Sequence, residues 1–376
     1  TSRTDGNSMY RVGKVTRQKR GKSFLVECES PGGNTYNDVL DDLIQQAVDY
    51  KNEADLEELE ARDYENVRDP SLLRFLVDLR GEEATCKQLR DDLMTLLIAG
   101  HETTGAVLTW TTFLLAQHPE ISERVRAELD AVLQNNRAPT YADVQRLPFL
   151  RAVIAESLRL FPAPPILLRR ALEEDTLPKG GGQSSVTLPR GAEVFIAVWS
   201  MHRNPQLWND PERFNPDRWQ EPKENPDVLG WAGYVPGKEG PMSLYPNEVS
   251  SDFAFLPFGG GSRKCIGDQF AILESTIVLA AVLSRFDFEF ATSPDDVGAT
   301  TGATIHTKNG LNMRVRPRRT PPPPHVADDA KAKAAAPAMP APEAAAAATA
   351  AVAAAAAAAA RPEVKEVKDK REATSV

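Results

Sequence analysis

The spacing of apolar residues predicts a chain that is helical in its first half and built of strands and turns later. Over "YNDVLDDLIQQAVDYKNEADLEELEARDY" (36–64) apolar residues recur at three- and four-residue steps, which predicts a long, acidic, exposed helix. "KQLRDDLMTLLIAGHETTGAVLTWTTFLLAQHPE" (87–120) is longer and far more apolar, so it is expected to cross an interior. Gly100, His101, Glu102 and Thr103 form a polar interruption in that run. "PEISERVRAELDAVLQ" places Pro119 near a helix N-terminus, where proline is favoured. "YADVQRLPFLRAVIAESLRLFP" (141–162) reads as one further helical pattern, stopped at Phe161 by Pro162.

After Pro162 the period shortens. Residues 164–203 read as short strands and turns, and "NPQLWNDPERFNPDRW" (204–219) as an irregular proline-rich stretch. A glycine loop, a helix from Gln269 to Arg285 and short strands ending in "GLNMRVRPR" complete the pattern. The fold class expected is therefore mainly α with small β sheets. Residues 36–318 are expected to form the folded domain. Residues 1–35 read as a poorly defined lead-in and 319–376 as a Pro/Ala-rich low-complexity tail, which lacks side chains for a core.

Composition narrows the partners. Hydrophobic residues make up 41% and charged residues 26%, ordinary values for a soluble globular protein. A net charge of −9 disfavours non-specific binding to nucleic acid, which needs a basic surface. Cys28, Cys86 and Cys265 lie far apart and form no CxxC pair, a pattern of free thiols rather than a disulfide scaffold or zinc site. No apolar run approaches the roughly 20 residues of a membrane span. The chain opens on Thr1, not Met, and carries no signal or transit pattern; its natural start is expected to be missing, so this leaves its location open.

Cys265, in "FLPFGGGSRKCIGDQFA", carries the sharpest chemistry. A lone cysteine is ordinarily a buried, inert one. Here Gly259, Gly260 and Gly261 permit backbone geometries closed to other residues, so amide N–H groups can turn toward one sulfur. The helix that follows adds the positive end of its dipole. Both effects favour a thiolate over a thiol. Arg263 offers a guanidinium to a nearby carboxylate or propionate. A thiolate held in this way suits axial ligation of haem iron.

Phe258, Gly261, Arg263, Cys265 and Gly267 fit F-x-x-G-x-R-x-C-x-G, which resembles the haem-binding loop of the cytochrome P-450 monooxygenases. The resemblance runs from about Tyr36 to Arg318 with its motifs in order, and implies the C-terminal part of that fold, from the helix before the oxygen-activation helix onward. Its cofactor would be haem b, iron protoporphyrin IX, with Cys265 as the iron's axial ligand and Phe258, Gly261, Arg263 and Gly267 shaping the site. Glu156 and Arg159 of "ESLR", which alone would read as an exposed i,i+3 pair, look like the family's E-x-x-R helix, with Arg213 of "PERF" as third member of a structural ion network. "AGHETT" (99–104), which alone could be a solvated helical turn, resembles the oxygen-activation segment. Gly100 would let the helix open a groove, and Thr103 and Glu102 would deliver protons to dioxygen.

The finer likeness is to the plastid carotenoid-ring hydroxylase branch of plants and algae, carried by "RDDLMTLLIAGHETTGAVLTW", "NPDVLGWAGY", "LYPNEVSSDFAFLPFGGG" and "TTGATIHTKNGL". The resemblance implies hydroxylation of a carotene ionone ring in the chloroplast. Electrons would come from ferredoxin or a flavoprotein reductase docking near Arg263 and Lys264. It also implies an N-terminal half that this chain lacks, and with it any membrane association of the longer protein; this chain alone is expected to be inactive. Substrate would meet the Ala99–Thr104 groove, the "PAPPILL" turn or the "TTGATIH" strand. Arg169 and Arg170 could reach a propionate or form a solvated strand end. Two other readings stay open: a haem-thiolate hydroperoxide rearranger, a class that typically lacks the acid–threonine pair present here, and a truncated non-catalytic fragment.

Overall fold

Proline and glycine cut the helices where their backbone chemistry requires. A computed structural model describes residues 44, 45, 85–134, 137–177 and 185–318. Helix α1 (Cys86–Gln117) stops just before His118, whose neighbour Pro119 disfavours helical backbone at the preceding residue. Helix α2 (Pro119–Val132) then starts on that proline. The single helical pattern expected over 141–162 is in fact two helices, α3 (Tyr141–Val144) and α4 (Pro148–Leu160). Pro148 is the reason: it has no N–H to donate and pushes Leu147 out of helical geometry, to φ −116 and ψ 54.

Ile44 and Gln45 are helical. The rest of the acidic helix expected over 36–64, the lead-in of 1–35 and the tail of 319–376 lie outside the described residues. The chain divides into two units, Thr1–Leu97 with Ala330–Val376, and Ile98–Asp329. Residues 44, 45 and 85–97 are what is described of the first. Every candidate site residue belongs to the second.

The second unit is organised around α4. From Ala152 to Leu160 every residue is buried, so the helix is enclosed on all sides. Its N-terminus is capped from α2: Glu128 Oε1 accepts the Phe149 N–H at 2.8 Å and Oε2 accepts the Leu150 N–H at 2.9 Å. Pro148 has no N–H, so two of the three amides that this helix start leaves unpaired are thereby satisfied. Leu150, Val153 and Ile154 on α4 join Leu129 of α2, Phe255 and Trp219 in one apolar core.

Among the described residues the strands are short and pair antiparallel in four two-stranded sheets. β1 (Leu167–Arg170) pairs with β4 (Glu193–Ile196), and β2 (Asp175–Leu177) with β3 (Val186–Leu188). β5 (Phe286–Phe290) pairs with β8 (Met313–Pro317), and β6 (Ala299–Thr301) with β7 (Ile305–Thr307). A one-turn helix α5 (Val198–Met201) follows β4, and α6 (Asp268–Leu283) follows the glycine loop. The segment between Trp219 and Phe255 is pinned by side chains. Tyr234 Oη donates to the Trp219 carbonyl at 2.8 Å, and Trp231 Nε1 to that of Ser251 at 2.8 Å. Gly233 is required there, at φ +95, because a Cβ would come within 2.1 Å of the Lys223 carbonyl oxygen. Among the described residues no helix is long and apolar enough to cross a membrane.

Candidate functional site

The cysteine loop is closed by its own backbone. The Cys265 N–H donates to the Phe258 carbonyl at 2.8 Å, and the Lys264 N–H to that of Gly261 at 3.1 Å. Gly259 and Gly261 sit at φ +71 and +70, left-handed geometry that other residues rarely adopt. The Phe258 ring packs against Tyr245 with centroids 5.0 Å apart, so this residue shapes the loop by its carbonyl and its ring. Gly267, the N-cap of α6, turns its N–H onto the sulfur.

Cys265 is exposed. Its thiol is nevertheless pushed above the ordinary cysteine range. Protein packed around the sulfur raises it most; the Gly267 N–H lowers it, the Asp268 carboxylate raises it and the Lys264 ammonium lowers it. The expectation that loop and helix alone would favour a thiolate is therefore corrected: one N–H does not outweigh desolvation and the Asp268 charge. A metal cation at the sulfur would reverse the balance, because coordination deprotonates a thiol outright. The loop fits such a guest. Cys265 is exposed, the neighbouring Ile266 and Phe270 are exposed apolar side chains, and Arg263 is exposed with no partner among the described residues. Arg170 is likewise exposed, whereas Arg169 is half-buried and donates to the Leu168 carbonyl at 2.8 Å.

Lys264 does not share that freedom. Its ammonium lies 3.0 Å from both Glu248 and Asp268, and Tyr245 Oη donates to Asp268 at 2.9 Å. Burial pulls the Lys264 pKa down, but its bonds to Glu248 and Asp268 outweigh that and leave it raised. The lysine thus fastens the 219–255 segment to the cysteine loop, and of the two only Arg263 is without a partner among the described residues.

Glu156 and Arg159 form a fully buried pair on α4. All five guanidinium N–H groups of Arg159 are used. Nε donates to Glu156 Oε2 at 3.0 Å and Nη2 to Oε1 at 2.9 Å, and the others reach the carbonyls of His202, Pro211 and Arg213 at 2.7, 2.7 and 3.1 Å. The third member expected, Arg213, contributes this carbonyl only, and its side chain is exposed. The second cation on Glu156 is Arg218 of "FNPDRW", whose Nε lies 2.9 Å from Oε1. The two segments "PERF" and "PDRW" offer the same acid–arginine step, and only the half-buried one faces the carboxylate.

Sequence reasoning missed His202. It is fully buried, its Nδ1 lies 3.2 Å from the Arg159 carbonyl oxygen, and its Nε2 accepts the Leu256 N–H at 2.9 Å. Leu256 enters the cysteine loop, so one imidazole ties the ion network to that loop. Desolvation first, and the Arg159 charge second, bring its pKa down to about 3. It is therefore neutral, with its proton on Nδ1. A lone histidine in "SMHR" gives no local signal of this.

On α1, helix runs without a break through Gly100, so the groove expected there is not built into the backbone. A Cβ at Gly100 or Gly105 would meet nothing within 4 Å, which leaves that face open. Thr103 Oγ1 donates back to the Ala99 carbonyl at 2.6 Å. Glu102 does not bond Thr103. It turns instead to the β6–β7 turn, where its Oε1 accepts from Thr304 Oγ1 at 3.0 Å and lies 3.0 Å from His306 Nε2. A cavity of about 330 Å³ opens here, lined by Glu102, Gly105, Trp110, Ile305 and His306 among others.

The comparisons with known proteins agree on one family. The model described as Cytochrome P450 matches residues 31–311. Cytochrome P450 97B2, chloroplastic, of Glycine max is 51% identical over 284 residues, 75% of this chain and 49% of the relative. Protein LUTEIN DEFICIENT 5, chloroplastic, of Arabidopsis thaliana is 44% identical over 76% of this chain and 43% of its own length. Carotene epsilon-monooxygenase, chloroplastic, of Arabidopsis thaliana is 40% identical over 75% and 47%. The chain thus spans about half the length of the curated relatives it matches.

Proposed function

The chain belongs to the cytochrome P450 family, and on that premise we propose that it is the haem-carrying part of a chloroplast monooxygenase that hydroxylates a carotene ring. The observation that carries the reading is the Cys265 loop, in which the exposed cysteine receives the Gly267 N–H and Arg263, two residues earlier, is exposed with no partner among the described residues. Cys265 would ligate the iron of haem b through its sulfur, and Arg263 would pair with a propionate. When bound, haem supplies the activation of dioxygen and the transfer of one oxygen atom to a C–H bond.

The protein's own residues supply the rest. Closure of the loop on the Phe258 carbonyl fixes where the sulfur points. Glu156, Arg159 and Arg218 hold the chain around 202–218, and His202 passes that rigidity to Leu256 and the loop. Glu102 and Thr103, on one turn of α1, would be the proton donors to dioxygen; Glu102 lines the cavity, and Thr103 would have to turn its hydroxyl from the Ala99 carbonyl. The apolar side of that cavity, with Trp110 and Ile305, suits a hydrocarbon ring. Electrons would arrive from ferredoxin or a flavoprotein reductase.

The protein expressed in full from its natural gene, supplied with plastid ferredoxin, its reductase and β-carotene, is expected to release ring-hydroxylated product, seen by mass spectrometry. Turnover of fatty acids with none of carotenes would overturn the substrate assignment. Conversion of fatty acid hydroperoxides without any electron donor would favour the rearranging class instead.

A further inference from the structure

We propose that His306 is a positioning residue for the proton-donating Glu102, held there by the strand that lines the substrate cavity. The inference rests on the monooxygenase reading for its catalytic meaning, but the contact itself does not. Glu102 stands on α1, and Thr304 and His306 stand at and just after the β6–β7 turn. Three atoms close a triangle: Glu102 Oε1 to Thr304 Oγ1 at 3.0 Å, Glu102 Oε1 to His306 Nε2 at 3.0 Å, and Thr304 Oγ1 to His306 Nε2 at 2.7 Å.

The proton count fixes how such a triangle can be satisfied. A carboxylate oxygen only accepts, and the threonine hydroxyl has one hydrogen to give. If that hydrogen goes to Glu102, the histidine contacts are hydrogen bonds only when Nε2 carries a proton. Nδ1 is the weaker candidate, at 3.5 Å from Thr304 Oγ1 against 2.7 Å for Nε2. With Glu102 ionised, it is the Nε2–H form of His306, donating to the other two groups, that satisfies the triangle. The strand is in turn fixed to α1. Trp110 Nε1 donates to the Ile305 carbonyl at 2.8 Å, and Ile305 is buried between the two clamping residues in sequence.

The consequence concerns Glu102. Its carboxylate is drawn to the strand side of the cavity and away from Thr103, whose hydroxyl is occupied by the Ala99 carbonyl. His306 lines the same cavity, so one side chain faces the substrate and orients the acid. Losing it frees Glu102 to rotate. Substrate binding, which depends on the cavity wall as a whole, should change little.

The test uses the full-length holoenzyme and His306→Ala, with His306→Gln as the conservative variant because the glutamine Nε2 can donate from a similar reach. In His306→Ala we expect kcat for hydroxylation to fall about tenfold, the worth of one hydrogen bond to a charged group. Hydrogen peroxide should rise in step, and KM should stay within about twofold. His306→Gln should restore most of the coupling. An independent readout is the tautomer of His306, from long-range nitrogen–proton correlations on histidine-labelled protein in the diamagnetic ferrous–carbon monoxide form. The wild type should show the Nε2–H tautomer at pH 8, and Glu102→Ala should populate the Nδ1–H form. Unchanged kcat and peroxide yield in His306→Ala would overturn the positioning role, and a tautomer indifferent to Glu102→Ala would overturn the contact. If instead no carotene is hydroxylated by the wild type, the substrate reading falls while the tautomer still decides the contact.

Discussion

The buried ion network shows how a single side chain can be mistaken for its neighbour. Glu156 is fully buried and depends on two cations for compensation, Arg159 and Arg218. Removing one partner of a buried pair costs about 3–5 kcal/mol, because a charge is left without compensation. Arg218→Ala is thus expected to abolish a cooperative melt or lower the midpoint severely. Arg213→Ala, which removes an exposed side chain and keeps the carbonyl that Arg159 uses, should stay within about 0.5 kcal/mol of the parent. Thermal unfolding of the two variants side by side decides between them; equal and large losses would restore Arg213 to the network. The cysteine motif was legible because its five defining residues lie within ten positions. Arg218 was not, since "PERF" and "PDRW" share a pattern and differ only in burial. The Glu102–His306 contact joins residues 204 apart, and no local pattern announces it.

At the scale of elements, apolar period and proline placement were good guides. The ends of α1, α2 and α6 fall within three residues of the expected positions. The period did not reveal the break at Pro148, because apolar spacing continues across it while the backbone cannot. Which strands pair was also hidden: β1 meets β4, and β5 meets β8, across intervening sequence that carries no pairing signal. His202 is the link between α4 and the cysteine loop, and it makes that link sensitive to acid. Its folded pKa of about 3 lies below the ordinary histidine value of about 6.5, so over this window the unfolded chain binds the proton and the native state does not. Stability should rise with pH across the window and be lost as pH falls from about 6.5 toward 3. Melting midpoints of wild type and His202→Gln, measured from pH 7 down to 4, should converge as the wild type loses its advantage. Parallel curves would show that His202 carries no such dependence.

At the scale of the molecule, the chain reads as a scaffold around one sulfur. The capped and enclosed α4, the Glu156 network, His202 and the Lys264 clamp all converge on the loop that ends at Cys265. Mainly helical architecture with small sheets was legible from period alone, and the motif order placed the family. The exposed sulfur and its raised pKa were not legible, because they depend on what packs around the loop rather than on its sequence. On the proposed haem ligation, coordination to the metal is what would turn this thiol into a thiolate. The most direct measurement is the carbon monoxide difference spectrum of the reduced, haem-loaded protein, in the wild type and in Cys265→Ser. The account predicts the strongly red-shifted Soret band of thiolate ligation in the wild type and its loss in the variant. The same red-shifted band in Cys265→Ser, or none in a folded wild type that retains haem, would contradict it.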